Sequence, residues 1–319
     1  GNCSPGRGCK WCRFERCIQC GMQPYRVYSM AKTKEEEPEP PASTSPEASG
    51  FPFLETFLAT HSAFERRCQA IELDILHDRG IQSVPVEALN GETIELWPCT
   101  TGLIHELIRN MEAETISYLN TCYPEFEQME AQQRFVLFKN HIFPKGLSQG
   151  FRRALELKER PSSKLMATHF TFVPYADLTA FFVDASPVAD ADAVLQTTTK
   201  MFVSSRDTIE PFMEQLSLSD IEFAALLVLL FWSPDIPETS EETLRIGEAY
   251  RGRVFRELHA YYRNEVLLDD YAVRLGEIMS LLGQLQAVVR GTIEEFRVLN
   301  VYNYTAEDHV FRMMTEDGT

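Results

Sequence analysis

The chain has 319 residues, 44% of them hydrophobic, which suits about two domains and is enough to bury a substantial core. Its longest apolar run, Phe223–Trp232, has ten residues, whereas a membrane-spanning helix needs roughly 20, so we expect no membrane span and no membrane partner. The net charge is −17 but uneven, because residues 1–32 carry +5 and the rest of the chain carries −22. Phosphate contacts need clustered Lys and Arg, so only this basic head suits nucleic acid.

The cysteines are concentrated at the N-terminus. Five of the eight lie within residues 3–20, which is typical of a metal site rather than a disulfide framework and indicates a reducing compartment. Thiolates separated by two residues, such as Cys9 and Cys12, can chelate one Zn²⁺, and a structural zinc site normally has four ligands. Cys3 is a third candidate and Cys20 a substitute for the fourth, so we predict a zinc site that is incomplete in this chain.

Residues 33–50 contain almost no apolar side chains and are rich in Pro, Glu and Ser. Such a composition cannot offset the entropy lost when a chain becomes ordered, so we predict a disordered hinge. The hinge divides the chain into a short first segment, residues 1–32, and a large domain, residues 51–319.

The large domain has a helical pattern almost throughout. Apolar residues recur at spacings of three and four, which predicts an all-α domain of about ten helices, and no run of alternating residues indicates a strand. The helices that periodicity places are Leu54–His77, Gly102–Asn120, Gln128–Asn140, Leu147–Leu157, Ala189–Phe202 and Asp270–Asn300.

Two further helices carry their own start signals. Ser219 and Glu222 form a capping box in front of the apolar run Phe223–Trp232, and a helix that is apolar on every face belongs in a middle layer, covered on both sides. The segment from Thr239 caps another helix, which we predict to end at about Asn264.

Two motifs resemble the nuclear hormone receptor family. Cys9-Lys10-Trp11-Cys12, followed by Arg13-Phe14-Glu15-Arg16-Cys17 and Gly21-Met22, resembles the end of the family's second zinc finger. Pro124-x-Phe126-x2-Met129-x3-Gln133-Arg134-x2-Leu137-Phe138-Lys139 is similar to the signature between the family's helices 3 and 4. The resemblance is to the branch expanded in nematodes and related to hepatocyte nuclear factor receptors. It implies a partial C4 zinc finger, a hinge and a ligand-binding domain folded as a three-layer helical sandwich, acting in the nucleus as a transcription regulator.

The basic head supplies the candidates for DNA contact. The resemblance implies that the first finger, whose helix enters the major groove and reads bases, is not present in this chain. Without it, Arg7, Lys10, Arg13 and Arg16 would contact phosphates, which position a protein without specifying sequence. We therefore expect binding to a hormone response element only from a longer form.

The resemblance also implies an apolar ligand cavity, and such cavities measure about 300 to 1,000 Å³. Arg153 falls where relatives that bind fatty acids or retinoids often keep an arginine for the ligand carboxylate, and a bidentate guanidinium suits that role. Leu107, Ile108, Met111 and Thr115 are the candidate cavity lining. The alternatives are that Arg153 is an exposed basic residue and that side chains fill the cavity, leaving a receptor without a ligand.

Coregulator peptides bind the family in a groove closed by the final helix, with lysines and a glutamate gripping the peptide ends. Lys139 matches the helix 4 lysine, whereas the helix 3 lysine position holds Thr121. Arg312 occupies the expected acidic position of the final helix, and Glu307 or Asp308 is the candidate replacement one turn earlier.

The helix Asp270–Asn300 corresponds to the family's main dimerisation element. Leu275, Ile278, Leu282 and Leu285 have the near-heptad spacing of a two-fold interface, although most of that stripe should also pack inside its own domain. We therefore expect a homodimer or a heterodimer with another receptor.

Two other classes of function are alternatives to the transcription regulator. One is an interaction protein that lacks a working finger and modulates full-length receptors by dimerising with them. The other is an enzyme, which we do not expect, because the seven histidines show no metal spacing and no Gly-rich phosphate loop is present.

Overall fold

A computed structural model describes residues 50–158, 164–174, 178–183, 191–268 and 270–301. These ranges contain eight helices and four short strands. The helices are α1 (Pro52–Asp78), α2 (Thr101–Cys122), α3 (Pro124–Gln128), α4 (Ala131–Leu155), α5 (Ala191–Leu216), α6 (Asp220–Phe231), α7 (Glu241–Asn264) and α8 (Ala272–Val301). The strands are β1 (Val84–Glu87), β2 (Thr93–Pro98), β3 (Leu165–Met166) and β4 (Thr171–Val173).

Helix α6 forms the centre of the domain. It begins at the predicted capping box, where the Glu222 amide donates to Ser219 Oγ (3.2 Å) and the Ser219 amide donates to the Glu222 carboxylate (2.9 Å). Every residue from Phe223 to Phe231 is buried, and the helix packs against α1, α4, α7 and α8. The prediction of a capped apolar helix covered on both sides is confirmed.

Two helices continue through an internal proline, beyond the ends that periodicity predicted. The predicted helices Gln128–Asn140 and Leu147–Leu157 are one continuous helix, α4, with Pro144 in its interior. Proline removes one backbone hydrogen bond, but buried side chains on both sides of Pro144 hold the two halves in one helix. Helix α5 likewise continues past Phe202, through Pro211, to Leu216.

A small sheet was not predicted. Its strands lie in the order β1-β2-β4-β3, with β2 and β4 parallel and both outer pairs antiparallel. Strands of two to six residues are too short to show a clear alternation, which is why the pattern did not indicate them.

Residues 165–173 form the β3–β4 hairpin, which lies against α4. A side chain at Gly150 of α4 would collide with the Met166 carbonyl oxygen, so the close approach of helix and hairpin requires glycine there.

The helical fold class is confirmed, with this small sheet added. Among the described residues, no helix combines the length and apolarity that crossing a membrane requires.

Candidate functional site

The predicted cavity-lining residues lie on one helix, α2. Leu107 and Thr115 are buried, and Ile108 and Met111 are half-buried. Leu107 belongs to the main core and Met111 packs against it, while the Thr115 hydroxyl donates to the Met111 carbonyl (2.8 Å). The Thr115 hydroxyl is therefore satisfied within the helix, and the apolar side chains Leu107 and Met111 contribute to the core.

Arg153 lies in the last turn of α4, where the helix meets the β3–β4 hairpin. Its Nε donates to the His169 carbonyl (3.2 Å) and its Nη1 pairs with the Glu156 carboxylate. The side chain keeps 21% exposure. Its described polar partners thus come from the residue that follows α4 and from the hairpin, and one of them is already a carboxylate.

A group of charged side chains lies beneath the hairpin, and sequence reasoning missed it. We name Glu65, Glu72, Lys145 and His169 the buried polar cluster. Lys145 Nζ is 2.8 Å from Glu65 Oε1, and His169 Nε2 contacts Glu65 Oε2. His169 Nδ1 is 3.5 Å from Glu72 Oε2, and the Phe170 amide donates to Glu72 Oε1 (2.9 Å). The cluster therefore joins α1, α4 and the hairpin.

The protonation of the buried histidines depends on their neighbours. Burial lowers the pKa of His61 to about 4 and that of His141 to about 3, so both rings are neutral at physiological pH. Burial also disfavours a charged His169, but hydrogen bonds to Glu65 and Glu72 outweigh it and raise the pKa of His169. Burial acts to raise the pKa of Glu65, yet Lys145 and His169 hold that pKa well below its usual range.

A second ion pair connects α6, α7 and α8. Arg274 donates to both carboxylate oxygens of Glu222, each at 2.7 Å, and the Tyr262 hydroxyl donates to the same carboxylate at 2.8 Å. Burial acts to raise the pKa of Glu222, but the bonds from Arg274, the Ser219 amide and Tyr262 together lower it. The capping box was the sequence signal for Glu222, whereas nothing local indicated its partner.

The predicted coregulator surface is described only in part. Lys139 is half-buried on α4 and Thr121 is exposed at the end of α2. Two large apolar side chains are exposed on the same helices, Phe135 on α4 (39%) and Ile116 on α2 (37%). Glu307, Asp308 and Arg312 lie outside the described residues.

The predicted dimerisation stripe faces the domain's own core. Ile278, Leu282 and Leu285 are buried in the main hydrophobic cluster, and Leu275 packs against it. These side chains hold α8 in place, so a partner would contact other positions of the helix. The exposed apolar side chains of α8 include Val273 (68%) and Met279 (38%).

The predicted zinc ligands and DNA-contacting residues all lie outside the described ranges. They are Cys3, Cys9, Cys12 and Cys20 for zinc and Arg7, Lys10, Arg13 and Arg16 for DNA. Within the ranges that are described, no group of three or more His, Cys, Asp or Glu side chains could hold a metal ion. The three cysteines there, Cys68, Cys99 and Cys122, are buried and not disulfide-bonded.

The helical fold agrees with the comparisons to known proteins. The family model for the ligand-binding domain of nuclear hormone receptor matches residues 102–302, which span helices α2 to α8. The chain therefore belongs to the nuclear hormone receptor family, as its two motifs predicted, and is a receptor-like transcription regulator.

Several relatives from Caenorhabditis elegans resemble the chain over most of its length. Nuclear hormone receptor family member nhr-16 is 24% identical, covering 96% of this chain and 82% of the relative. Family member nhr-86 is 23% identical, covering 93% of this chain and 78% of the relative. Family member nhr-28 is also 23% identical, covering 96% of this chain and 72% of the relative. The resemblance to nematode receptors is thereby confirmed.

Proposed function

We propose that this chain acts in the nucleus as a receptor-like transcription regulator whose ligand-binding domain takes a fatty-acid-like ligand. The observation that carries the ligand class is the position of Arg153, a partly exposed guanidinium that already pairs with a carboxylate. The membership of the chain in the receptor family supports the same conclusion.

The geometry of Arg153 suits exchange of one carboxylate for another. The His169 carbonyl fixes the Nε edge of the guanidinium, which orients the side chain without neutralising its charge. Glu156 is half exposed and three residues away on the same turn, so it can leave to solvent at little cost. A ligand carboxylate would then make the charge-assisted bond that Glu156 makes now.

Calorimetric titration of the full chain with oleate tests this role. We expect Arg153→Gln to weaken oleate binding at least about tenfold, the usual scale for losing one charged hydrogen bond. Glu156→Gln should strengthen binding because it removes the competing carboxylate. Arg245→Gln on α7 is the matched control, since that arginine is exposed and also pairs with a glutamate three residues away. Equal affinities for the Arg153 and Arg245 variants would overturn the proposal.

For the N-terminal segment we propose a zinc site on Cys3, Cys9, Cys12 and Cys20 and phosphate contacts by Arg7, Lys10, Arg13 and Arg16. The clustering of thiols and basic residues within residues 1–32 supports both. Such contacts bind DNA without choosing a sequence, so affinity should fall steeply with salt and differ little between DNA sequences. Native mass spectrometry before and after zinc chelation tests the metal, with one zinc per chain expected and none contradicting it.

We further propose that coregulator peptides dock between the end of α2 and the start of α4, gripped by Lys139 and by Glu307 or Asp308. The exposed apolar side chains of Ile116 and Phe135 on these helices support the location. A short amphipathic leucine-rich peptide should bind in fluorescence polarisation, and Phe135→Asp should abolish its binding. Leu89→Asp, which changes an exposed leucine between β1 and β2, should leave it unchanged.

The alternative function is a DNA-binding-deficient interaction protein that dimerises with full-length receptors. The exposed apolar side chains of Val273 and Met279 on α8 favour it, because the inward stripe of that helix is already covered. Sedimentation velocity of the chain alone and mixed with a full-length receptor tests it. Val273→Asp should dissociate the complex and Leu89→Asp should not; a chain that stays monomeric in both cases would contradict the alternative.

A further inference from the structure

Two carboxylates of α1, those of Glu65 and Glu72, hold the β3–β4 hairpin against that helix. Glu72 of α1 accepts from the Phe170 amide at 2.9 Å and also from the Thr168 hydroxyl. His169, between these two residues, contacts Glu65 through Nε2 and lies 3.5 Å from Glu72 through Nδ1. The three residues at the turn of the hairpin are thus all attached to carboxylates of one helix.

The charges of the cluster balance only when His169 carries a proton. Glu65 and Glu72 supply two carboxylates, and Lys145, 2.8 Å from Glu65, supplies one positive charge. Their side chains are nearly inaccessible, with 10% exposure for Glu65 and none for Glu72. An uncompensated charge at such depth is costly, so the second positive charge has to come from the imidazolium of His169.

No other described group near the cluster can replace that charge. From α1, His61 and Cys68 face it, and both are uncharged because burial lowers the pKa of His61 to about 4 and raises that of Cys68 to about 12. From α4, His141 is neutral for the same reason, and Arg152 pairs with Asp220. Arg153, also from α4, pairs with Glu156 and donates to the His169 backbone carbonyl.

We propose that the buried polar cluster is a proton-dependent latch, in which protonated His169 holds the hairpin closed on α1 and its deprotonation releases the hairpin. Release would also separate β4 from β2 and remove the carbonyl partner of Arg153. If Arg153 binds the ligand carboxylate as proposed above, ligand affinity should fall at high pH, and this expectation rests on the proposed function. The opening of the hairpin itself does not depend on any ligand.

The direction of the pH effect follows from the raised pKa of His169. Below the ordinary histidine pKa of about 6.5, the ring is protonated in the open and closed hairpin alike, and opening does not depend on pH. Above it, the open form loses its proton first, so the opening equilibrium rises about tenfold per pH unit until the closed form also deprotonates.

Hydrogen exchange of the full chain, measured by mass spectrometry between about pH 6 and about pH 9, tests the latch in this window. After correction for intrinsic exchange, residues 164–174 should lose protection as pH rises, while α6 serves as the reference and should not. His169→Gln and Glu72→Gln should each abolish this pH dependence. His77→Gln, an exposed histidine on α1, is the control and should retain it.

A hairpin whose protection follows that of α6 across the whole range would overturn the proposal. If His169→Gln fails to fold, histidine NMR titration of the unmodified chain decides instead. An imidazole of His169 that titrates above the ordinary histidine value supports the latch, and one that titrates below it overturns the latch.

Discussion

Helix α6 and the buried polar cluster lie in the same domain but are stabilised by opposite physical chemistry. Every residue from Phe223 to Phe231 is buried among apolar neighbours, so this part of α6 is stabilised by area removed from water and does not depend on protonation. The cluster is also largely buried, but its stability depends on balanced charges. Burial alone therefore does not tell whether a region of the molecule responds to pH.

Breaking the charge balance should have the largest effect. Lys145→Met leaves the buried polar cluster one positive charge short, and losing one partner of a buried pair costs about 3–5 kcal/mol. Urea unfolding measures the loss, with Lys158→Met as control because Lys158 and its partner Glu87 are half exposed. Equal free energies of unfolding for the two variants would show that the cluster carries no net charge interaction.

Shortening a core side chain of α6 should lower the free energy of unfolding nearly as much, by a different mechanism. Leu226→Ala removes a fully buried side chain and leaves a cavity, which costs about 2–5 kcal/mol. The loss should be the same at about pH 6 and about pH 9, since no group in the helix core titrates there. Leu267→Ala is the control, because Leu267 is exposed. A loss of stability that varies with pH would contradict the conclusion that the apolar core of α6 does not depend on protonation.

The Glu222–Arg274 pair joins the two kinds of stabilisation, because it is a charged contact at the start of α6. Glu222→Gln removes charged hydrogen bonds and should cost about 1.5–3 kcal/mol at neutral pH, with Glu248→Gln as the exposed control. Because the pKa of Glu222 is lowered in the folded state, its contribution is present above the ordinary glutamate pKa and is lost as pH falls. Acid titration of unfolding should therefore be shallower for the Glu222 variant than for the control.

The smallest effect concerns the cap of the same helix. Ser219→Ala removes the acceptor of the Glu222 amide and should cost about 1 kcal/mol. Ser280→Ala in the first third of α8 is the control, since that exposed hydroxyl donates to the Gly276 carbonyl of its own helix. An unchanged unfolding midpoint for Ser219→Ala would mean that packing alone fixes where α6 begins.

The two regions also differ in how far the sequence predicts them. The cap of α6 is a local signal, since Ser219 and Glu222 are three residues apart and the apolar run follows at once. The cluster unites Glu65, Lys145 and His169, which are far apart in the chain and meet only because α1, α4 and the hairpin pack together. Histidines and glutamates that are scattered along the chain show no regular spacing, so their contact in the fold could not be predicted from the sequence.

The candidate sites show the same limit. Periodicity identified the apolar stripe of α8 correctly, but it could not tell whether the stripe meets the domain's own core or a partner. The core covers Ile278, Leu282 and Leu285. The position of Arg153 at the end of α4 was predicted by family resemblance, while its contact with the hairpin depended on strands too short to recognise.

The most direct test of the proposed role of Arg153 in ligand binding is a crystal structure of the full chain grown with oleate. We expect the oleate carboxylate to lie on the Arg153 guanidinium in place of Glu156, with Nε still donating to the His169 carbonyl. Oleate bound elsewhere, with Arg153 still paired to Glu156, would contradict it.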